Sequence, residues 1–308
     1  MVWKSSTLRS STGAELRVYS AIPKKSPKAI IQINHGMAEH AARYERFAKA
    51  LNKAGYGAYA HDHRGHGFTK ADDAPLGIFA TKNGMEKVVE DVAAINSHIT
   101  KQHPATPIIA FGHSMGSIIA FNYIMKNPKE VAGAALWNSG VETGALSAVG
   151  KIILKVQRMF KGFDVPSKLT QKLTFEAWNK EFAPNRTDFD WLSRDNAEVD
   201  KYCADPLCGF DVSIGLWLDV LDGVYFAADN GNLKSLPTNL PIHLQAGAVD
   251  PCSEKGKGVE HIAERMNGHG MEDVTLNVIP ATRHESLNEI NRDETTANFI
   301  AWLDKRFG

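Results

Sequence analysis

The chain has 308 residues, of which 35 are basic and 35 acidic, so its formal net charge at pH 7 is zero. This balance argues against a nucleic-acid-binding surface, which normally needs a marked basic excess. The length suits one large α/β domain that carries an insertion.

The amino-terminal segment, from Met1 to Arg17, is polar and lacks the apolar stretch of a signal peptide. No run of about 18 apolar residues occurs, so the sequence predicts no transmembrane helix. The cysteines Cys203, Cys208 and Cys252 are sparse and odd in number. We therefore expect reduced thiols in a cytoplasmic protein rather than a disulfide framework.

Short apolar runs alternate with amphipathic stretches, a pattern typical of the α/β class with a mostly parallel central sheet flanked by helices. The predicted strands are Leu16–Ala21, Ala29–Asn34, Gly57–Asp62, Ile108–Gly112, Ala132–Asn138, Ile242–Ala246 and Val274–Ile279. The predicted helices are Tyr44–Ala54, Met85–Thr100, Ser117–Asn127, Ser253–Met266 and Glu294–Phe307.

The alternation stops between about Gly140 and Leu236, where the chain is helix-like and rich in Trp and Phe. We predict a core built from residues 1–139 and 237–308, with residues 140–236 inserted between two strands as a helical cap. The ligand crevice of an open α/β sheet lies beyond the carboxyl ends of its strands, so such a cap would cover the active site. The alternative is an extra helical layer without a gating role.

The segment from Gly112 to Gly116 has the sequence Gly-His-Ser-Met-Gly and lies between a predicted strand and a predicted helix. A G-x-S-x-G motif in this strand–turn–helix context exposes a serine nucleophile. The glycines allow the sharp turn, because a Cβ at either position would press the strand against the helix. The helix N-terminus also directs its N–H groups toward charge that develops near Ser114. The motif therefore predicts Ser114 as the nucleophile.

A serine hydroxyl needs an adjacent base, which in this fold comes after the nucleophile and after the acid along the chain. His284 directly follows the predicted strand Val274–Ile279 and is our candidate for the base. Three other histidines lie at the start of a strand, inside a helix and before the last strand: His243, His261 and His269.

The acid that orients the base should also follow a strand. Asp250 comes just after the predicted strand Ile242–Ala246, and Glu142 after the preceding strand is the alternative. We predict Asp250 as the acid. Cys252, two residues further on, is then expected near the same site.

An oxyanion hole needs two backbone N–H donors, one from the residue after the nucleophile and one from a loop after an earlier strand. Met115 is predicted to supply the first. The second is predicted to come from Met37, in the loop Asn34 to His40. The two Met side chains would line the pocket as flexible apolar surface.

The segment His61-Asp62-His63-Arg64-Gly65-His66 superficially resembles the H-x-H-x-D-H zinc-binding segment of metallo-hydrolases. Gly65 replaces the acid before the last histidine, and no later ligand set is apparent. We expect no metal here, but a loop beside the active site that Asp62 and Arg64 fix by local hydrogen bonds.

Five segments together resemble the monoacylglycerol lipase and lysophospholipase group of α/β-hydrolases, the serine aminopeptidase S33-like family. They are His35–His40 (HGMAEH), Asp62–Gly67 (DHRGHG), Gly112–Gly116 (GHSMG), the Asp250 loop and the His284 loop. The resemblance implies the α/β-hydrolase fold with a cap over an acyl-chain pocket, no metal or organic cofactor, and hydrolysis of an acyl ester of glycerol or of a lysolipid.

The expected function is thus that of a serine carboxylester hydrolase that acts on small acyl esters, through an acyl-enzyme intermediate. An aminopeptidase or thioesterase on the same fold, or a non-catalytic binding protein, remains an alternative. Dehalogenases and epoxide hydrolases are disfavoured because their nucleophile is Asp.

Residues 151–163, at the start of the cap, predict a basic amphipathic helix. Its apolar sector contains Ile152, Ile153, Val156, Met159, Phe160 and Phe163, and its opposite side contains Lys151, Lys155, Arg158 and Lys161. One interpretation is that the apolar face packs over the acyl pocket while the lysines meet water. The other is that the helix also makes weak peripheral contact with an anionic membrane and delivers membrane-dissolved substrate to the pocket.

Overall fold

The computed structural model describes residues 3–308, apart from the side chain of Leu146. Within that range one mixed sheet contains eight strands in the order β1-β2-β4-β3-β5-β6-β7-β8. The strands are β1 (Lys4–Arg9), β2 (Glu15–Ala21), β3 (Ile30–Asn34), β4 (Gly57–His61), β5 (Ile108–His113), β6 (Gly133–Trp137), β7 (Ile242–Gly247) and β8 (Val274–Ile279). β1 and β2 are antiparallel to their neighbours, and the remaining pairs are parallel.

Five helices cover the two faces of the sheet. They are α1 (Glu45–Lys53), α2 (Gly84–Gln102), α3 (Met115–Lys126), α10 (Lys257–Gly268) and α11 (Arg292–Phe307). α2, α3 and α10 contribute to the apolar core on one face, and α1 and α11 contribute to the core on the other. β3 to β7 are buried along their whole length, as expected of parallel strands that are covered on both faces. The predicted α/β-hydrolase fold, with a mostly parallel sheet flanked by helices, is confirmed.

The segment between β6 and β7 is helical, as predicted. Its helices are α4 (Ala145–Lys161), α5 (Lys168–Gln171), α6 (Ala177–Lys180), α7 (Asn196–Ala204), α8 (Ile214–Ala228) and α9 (Asn230–Leu233). A π-helical turn, Lys172–Glu176, separates α5 from α6, and a 3-10 turn, Asp190–Leu192, precedes α7. α8 packs on α2 and α3 within the main apolar core. The division into a core and a cap of residues 140–236 is retained as a proposal.

The pairing register of the central parallel strands places their carboxyl ends at the same level in the sheet. Asn34 of β3 pairs with Gly112 of β5, and His113 of β5 pairs with Trp137 of β6. Loops that leave these strands therefore begin at one edge of the sheet. The predicted active-site segments all lie at this edge, where the inserted helices also pack.

Helix α4 differs from the prediction in its bounds and in its orientation. It begins at Ala145 and ends at Lys161, before Gly162, whose φ is 95°. Leu154 is buried with residues of α8, whereas Ile152 and Phe160 are 61% and 77% exposed. The expectation that the apolar face packs inward over the pocket is therefore wrong.

The physical reason lies on the opposite side of the helix. Lys151 forms an ion pair with Asp222 of α8 at 2.7 Å, and its ammonium lies 4.2 Å from the centroid of the Tyr225 ring. Together with the burial of Leu154, these contacts turn the side of the helix that contains Lys151 toward α8, while Lys155, Arg158 and Lys161 stay exposed. Most of the apolar sector is left facing outward.

Candidate active site

Ser114 occupies a strained turn between β5 and α3. Its φ is 55° and its ψ is −124°, a conformation that non-glycine residues rarely adopt. Its N–H donates to the carbonyl of Trp137 at 2.9 Å, which ties the turn to the end of β6. The chain thus holds the serine at the carboxyl edge of the sheet and at the N-terminus of a helix.

The two motif glycines are required by close backbone approaches. A Cβ on Gly112 would collide with the carbonyl oxygen of Gly116, and a Cβ on Gly116 would collide with the carbonyl oxygen of Asn34. Both obstacles are backbone atoms, which cannot rotate away as a side chain could. The predicted steric reason for the glycines is confirmed.

His284 and Asp250 are brought together by the loops that follow β8 and β7. Nδ1 of His284 lies 3.0 Å from each carboxylate oxygen of Asp250, and both side chains are buried. Asp250 also accepts hydrogen bonds from the N–H of Cys252 at 3.0 Å and from the amide of Asn138 at 3.3 Å. Burial by itself would raise the pKa of Asp250, but His284, Ser253 and Asn138 lower it below its ordinary value. The carboxylate therefore stays ionised and holds Nδ1 of the imidazole.

The imidazole of His284 is packed between aromatic rings. Its centroid lies 4.7 Å from that of Trp191 and 4.8 Å from that of His113. Trp191 comes from the inserted region, and its carbonyl accepts the N–H of His284 at 3.4 Å. Burial is the main cause that lowers the pKa of His113, to about 4, so this neighbouring ring is neutral at pH 7.

The two predicted oxyanion donors come from different elements that border the same cavity as Ser114. Met37 follows β3 in a loop, and Met115 is the first residue of α3. Within the described residues, the backbone N–H of neither methionine has a hydrogen-bond acceptor. Met37, Ser114 and Met115 border one cavity, so the two N–H groups stay our candidates for the oxyanion donors.

The loop that carries Met37 is held by a neutral histidine. Nδ1 of His35 lies 2.7 Å from the carbonyl of Gly36, and Nε2 accepts the N–H of His63 at 2.9 Å. Burial lowers the pKa of His35 well below its ordinary value, which agrees with this single-proton arrangement. The loop around His63 therefore buttresses the oxyanion loop.

The alternative zinc site at residues 61–66 finds no geometric support. Asp62 accepts the N–H groups of Ala41 and Phe68, both at 2.8 Å, and Arg64 pairs with Asp91 at 2.9 Å. These contacts confirm the predicted local role of Asp62 and Arg64. Among residues 3–308, the histidines of this segment belong to no cluster of three metal-ligating groups.

One such cluster exists elsewhere. Ligand atoms of His40, Asp205 and Cys208 lie within 4.8 Å of one another, and Nε2 of His40 is 2.9 Å from a carboxylate oxygen of Asp205. That pair already ties the oxyanion loop to the inserted region. We attribute to it a structural contact and no metal chemistry.

The other residues weighed in the sequence lie apart from the Asp250–His284 pair. Glu142 is exposed and makes no hydrogen bond to His284 among the described residues. His243 is buried beneath the sheet edge, where it accepts the indole N–H of Trp137 at 2.9 Å. His261 lies in α10, and His269 follows that helix.

All three cysteines are free thiols, as predicted. Cys252 lies next to Asp250 and borders the same cavity as Ser114, which confirms its expected position. Burial and the Asp250 charge raise its pKa well above the ordinary value, so the thiol is protonated at neutral pH.

Two cavities meet at Ser114. The first, of about 430 Å³, is also bordered by His284, and several carboxylates line it, together with aromatic side chains. The second, of about 340 Å³, is bordered on one side by Met115 and is otherwise mainly apolar. Its apolar lining from α3, the π-helical turn, α6 and α8 comprises Ile118, Phe175, Trp178, Trp217, Val220, Leu221 and Val224. Ser114 can therefore be reached from a polar and from an apolar side.

Sequence reasoning missed Trp191 and a buried ion-pair network of Glu39, Arg43 and Glu285. Glu39 and Glu285 flank predicted site residues, so their proximity to the site was available in the sequence. Arg43 lies 242 residues from Glu285, and no local pattern indicates their pairing. Trp191 lies in a region without a recognisable motif.

The sequence and the fold are both similar to those of known proteins. Residues 25–291 match the family model described as serine aminopeptidase, S33. A monoacylglycerol lipase of Mycolicibacterium smegmatis is 27% identical over 91% of this chain and 90% of its own length. The monoglyceride lipase of Homo sapiens is 29% identical over 76% of this chain and 69% of its own length.

A solved structure extends the comparison to the fold. A thermostable carboxyl esterase from Bacillus coagulans, in complex with glycerol, is 25% identical and superposes with a TM-score of 0.90. The match covers 100% of both chains, so the inserted helices are included in the likeness.

Proposed function

The chain belongs to the serine aminopeptidase S33 family and is a serine ester hydrolase of the α/β-hydrolase fold, and we propose that it hydrolyses monoacylglycerols through Ser114, His284 and Asp250. One observation carries the proposed mechanism. Asp250 holds Nδ1 of His284 at 3.0 Å, and Ser114 occupies the strained turn of a G-x-S-x-G motif. Both Ser114 and His284 border the first cavity.

The proposed reaction begins when Oγ of Ser114 attacks the ester carbonyl carbon and Nε2 of His284 accepts the hydroxyl proton. Asp250 keeps the proton of the neutral ring on Nδ1 and then stabilises the imidazolium. The N–H groups of Met37 and Met115 donate to the oxyanion. Collapse of this intermediate releases glycerol, which takes the proton from His284. Water, deprotonated by His284, then frees the fatty acid from Ser114.

The second cavity is the proposed acyl-chain site. It is lined mainly by apolar side chains, and Met37 and Met115 border it beside Ser114. An acyl chain placed there would bury hydrocarbon at roughly 0.8 kcal/mol per methylene. Its carbonyl would then lie next to the two N–H donors, which is the arrangement that ester hydrolysis requires.

The first cavity is the proposed head-group site, and its charge favours a neutral head group. Its exposed carboxylates Glu176, Asp188 and Asp211 form no ion pair, and no Lys or Arg is among the described residues that line it. A phosphate would be repelled by this rim, whereas the hydroxyls of glycerol would not. We therefore place monoacylglycerols ahead of anionic lysophospholipids.

The outward face of α4 is a proposed site of weak membrane contact. Ile152, Met159 and Phe160 are between 61% and 77% exposed, and Leu173 of the adjoining π-helical turn is 63% exposed. An apolar face flanked by lysines is typical of a helix that lies in a membrane interface. No helix within residues 3–308 is long and apolar enough to cross a bilayer. Contact at the surface would bring a membrane-dissolved substrate close to the two cavities.

A substrate panel tests the proposed function. We expect kcat/KM for 1-decanoylglycerol to exceed that for decanoyl lysophosphatidic acid at least about tenfold, the equivalent of about 1.4 kcal/mol. The triple variant Glu176→Gln/Asp188→Asn/Asp211→Asn should narrow this ratio, and Asp72→Asn, an exposed acid outside the cavities, should not. Equal kcat/KM values for the two lipids would contradict the assignment of the first cavity to a neutral head group. Preferred cleavage of an alanine p-nitroanilide or of an acyl-CoA would favour an aminopeptidase or a thioesterase instead.

A further inference from the structure

Arg43 lies in a short 3-10 turn before α1 and bonds two buried carboxylates at once. Its Nη1 donates to Glu39 and to Glu285, both at 2.6 Å, and its Nη2 donates to the second oxygen of Glu285 at 2.7 Å. The arginine side chain is 12% exposed, and those of Glu39 and Glu285 are 4% and 6% exposed. Buried ion pairs with hydrogen bonds this short hold their geometry far better than ion pairs at the surface.

The two carboxylates belong to the two loops on which the proposed chemistry depends. Glu39 is two residues after Met37 and accepts the N–H of Gly36 at 2.6 Å, so it binds the oxyanion loop from within. Glu285 directly follows His284, and its own N–H donates to the carbonyl of Leu192 at 2.7 Å. Arg43 therefore joins the loop of an oxyanion donor to the loop of the base.

A third contact connects the inserted region to the same guanidinium. The Tyr202 ring of α7 lies 4.8 Å from Cζ of Arg43, and its hydroxyl donates to the carbonyl of Ala38 at 2.9 Å. Ala38 is the residue after Met37 and has a φ of 52°. Backbone on both sides of Met37 is thus fixed by groups that contact Arg43.

The charges around this network are arranged in favour of the ionised forms. Burial would raise the pKa of Glu39, but Arg43, His113 and the Gly36 N–H lower it below its ordinary value. Burial would lower the pKa of Arg43, yet Glu285 and Glu39 raise it well above the usual range. The other titratable or charged groups that face the network are Tyr44, Arg46, His66, His113, Tyr202, Asp205 and Cys208, and His113 in turn faces Asp250 and His284.

We propose that Arg43 is a positioning residue, which sets the separation between the oxyanion donor Met37 and the base His284. The proposal rests on the proposed function in that it assigns those two roles. The planar guanidinium fork makes three bonds in fixed directions, and the ammonium of a lysine cannot reproduce them. A shift of either loop by about 1 Å is enough to lower turnover on the order of a hundredfold.

The test separates kcat from KM for p-nitrophenyl butyrate. This reporter ester needs only the hydrolytic machinery, so failure of the monoacylglycerol assignment leaves the test intact. We expect Arg43→Met to lower kcat about a hundredfold and Arg43→Lys about tenfold, with KM changed less than threefold. The amplitude of the initial burst of p-nitrophenol gives the number of sites that can be acylated. A loss of folded protein is therefore not mistaken for a loss of turnover.

The pH profile provides a readout that simple loss of stability would not move. In Arg43→Met, Glu39 and Glu285 face each other without a cation, and they repel when both are ionised. The kcat of this variant relative to wild type should therefore fall as pH rises from 6 to 9. In Arg43→Met/Glu285→Gln one of the charges is gone, so the ratio should lose this pH dependence and kcat should partly recover.

Arg46 provides the matched control. It lies three residues on and also bridges elements, because it bonds Glu198 at 2.9 Å and Asn288 at 2.5 Å. It bonds neither Glu39 nor Glu285 directly and reaches Glu285 only through Asn288, whose amide donates to Glu285 at 2.8 Å. All three bonds of Arg43 remain in Arg46→Met, so this variant should lower thermal stability while kcat stays within about twofold. If Arg43→Met does not fold, Arg43→Lys and Glu285→Gln test the proposal instead, through their kcat relative to wild type and its dependence on pH. Equal kcat losses in the Arg43 and Arg46 variants, a loss confined to KM, or a flat pH ratio would overturn the proposal.

Discussion

One carboxylate determines how the imidazole of His284 can act. Nδ1 of His284 lies 3.0 Å from each carboxylate oxygen of Asp250, which accepts its hydrogen bond. The lowered pKa of Asp250 keeps the carboxylate ionised. In Asp250→Asn the amide favours the wrong tautomer, so we expect kcat to fall on the order of ten-thousand-fold while the fold is retained. Steady-state hydrolysis of p-nitrophenyl butyrate, together with circular dichroism, measures both quantities.

The matched control for this substitution is Glu142→Gln. Glu142 was the alternative acid from the sequence, but it is exposed and makes no bond to His284 in the part of the chain described here. We expect kcat for Glu142→Gln to remain within about twofold of wild type. The reverse ranking of the two variants would show that the acid follows β6.

At the residue scale, the sequence predicted what local context determines. Ser114 follows from a motif between a strand and a helix, and Asp250 and His284 follow from their positions after parallel strands. The network around Arg43 could not be predicted in this way. It joins residues 242 positions apart, and their pairing depends on how two loops fold over one another.

The orientation of α4 leads to a prediction at the scale of the element. Its exposed apolar face should bind phosphatidylserine vesicles weakly, and binding should decrease with salt because each basic residue contributes only about 1 kcal/mol. Met159→Ser/Phe160→Ser should weaken co-sedimentation at least about tenfold, since each side chain loses roughly 1.5–3 kcal/mol of burial. Turnover of p-nitrophenyl butyrate, a water-soluble ester, should not change.

Ile290 offers a control for this prediction, because it is 61% exposed but lies outside the inserted region. Ile290→Ser should leave vesicle binding unchanged. If wild type does not bind anionic vesicles even at low salt, or if both variants weaken binding equally, α4 has no specific role at a membrane.

Elements were predictable where burial imposes a pattern. β3 to β7 are fully buried and appear in the sequence as apolar runs, whereas β1 is a mostly exposed edge strand of polar composition and was missed. The amphipathic pattern of α4 was recognised, but a pattern shows only that two faces differ. Which face is covered depends on the Lys151–Asp222 pair and on the burial of Leu154 against α8.

The whole molecule contains an unusual group of buried neutral histidines. His35, His61, His63, His66 and His113 are all buried, and burial is the main cause that lowers each of their pKa values, for His61 and His66 to about 4. Between pH 6.5 and 4 the unfolded chain binds these protons and the folded chain resists them. The free energy of unfolding should therefore decrease as pH falls through this window, by up to about 1.4 kcal/mol per pH unit for each histidine.

Urea unfolding at a series of pH values measures this effect. Both ring nitrogens of His61 lack a hydrogen-bond partner among residues 3–308, so His61→Phe removes one such histidine without breaking a bond. In this variant, the slope of the free energy of unfolding against pH should decrease by the contribution of about one proton. A wild-type stability that is flat between pH 6.5 and 5 would contradict the assignment of neutral buried histidines.

The reaction proposed for the whole molecule depends on an acyl-enzyme formed at Ser114. Mass spectrometry after treatment with a fluorophosphonate probe tests it most directly, because the adduct can be mapped to a single residue. We predict one adduct per chain, located on Ser114, and loss of both the adduct and about a million-fold in kcat in Ser114→Ala. An adduct on another residue, or substantial ester hydrolysis by Ser114→Ala, would show that Ser114 is not the nucleophile.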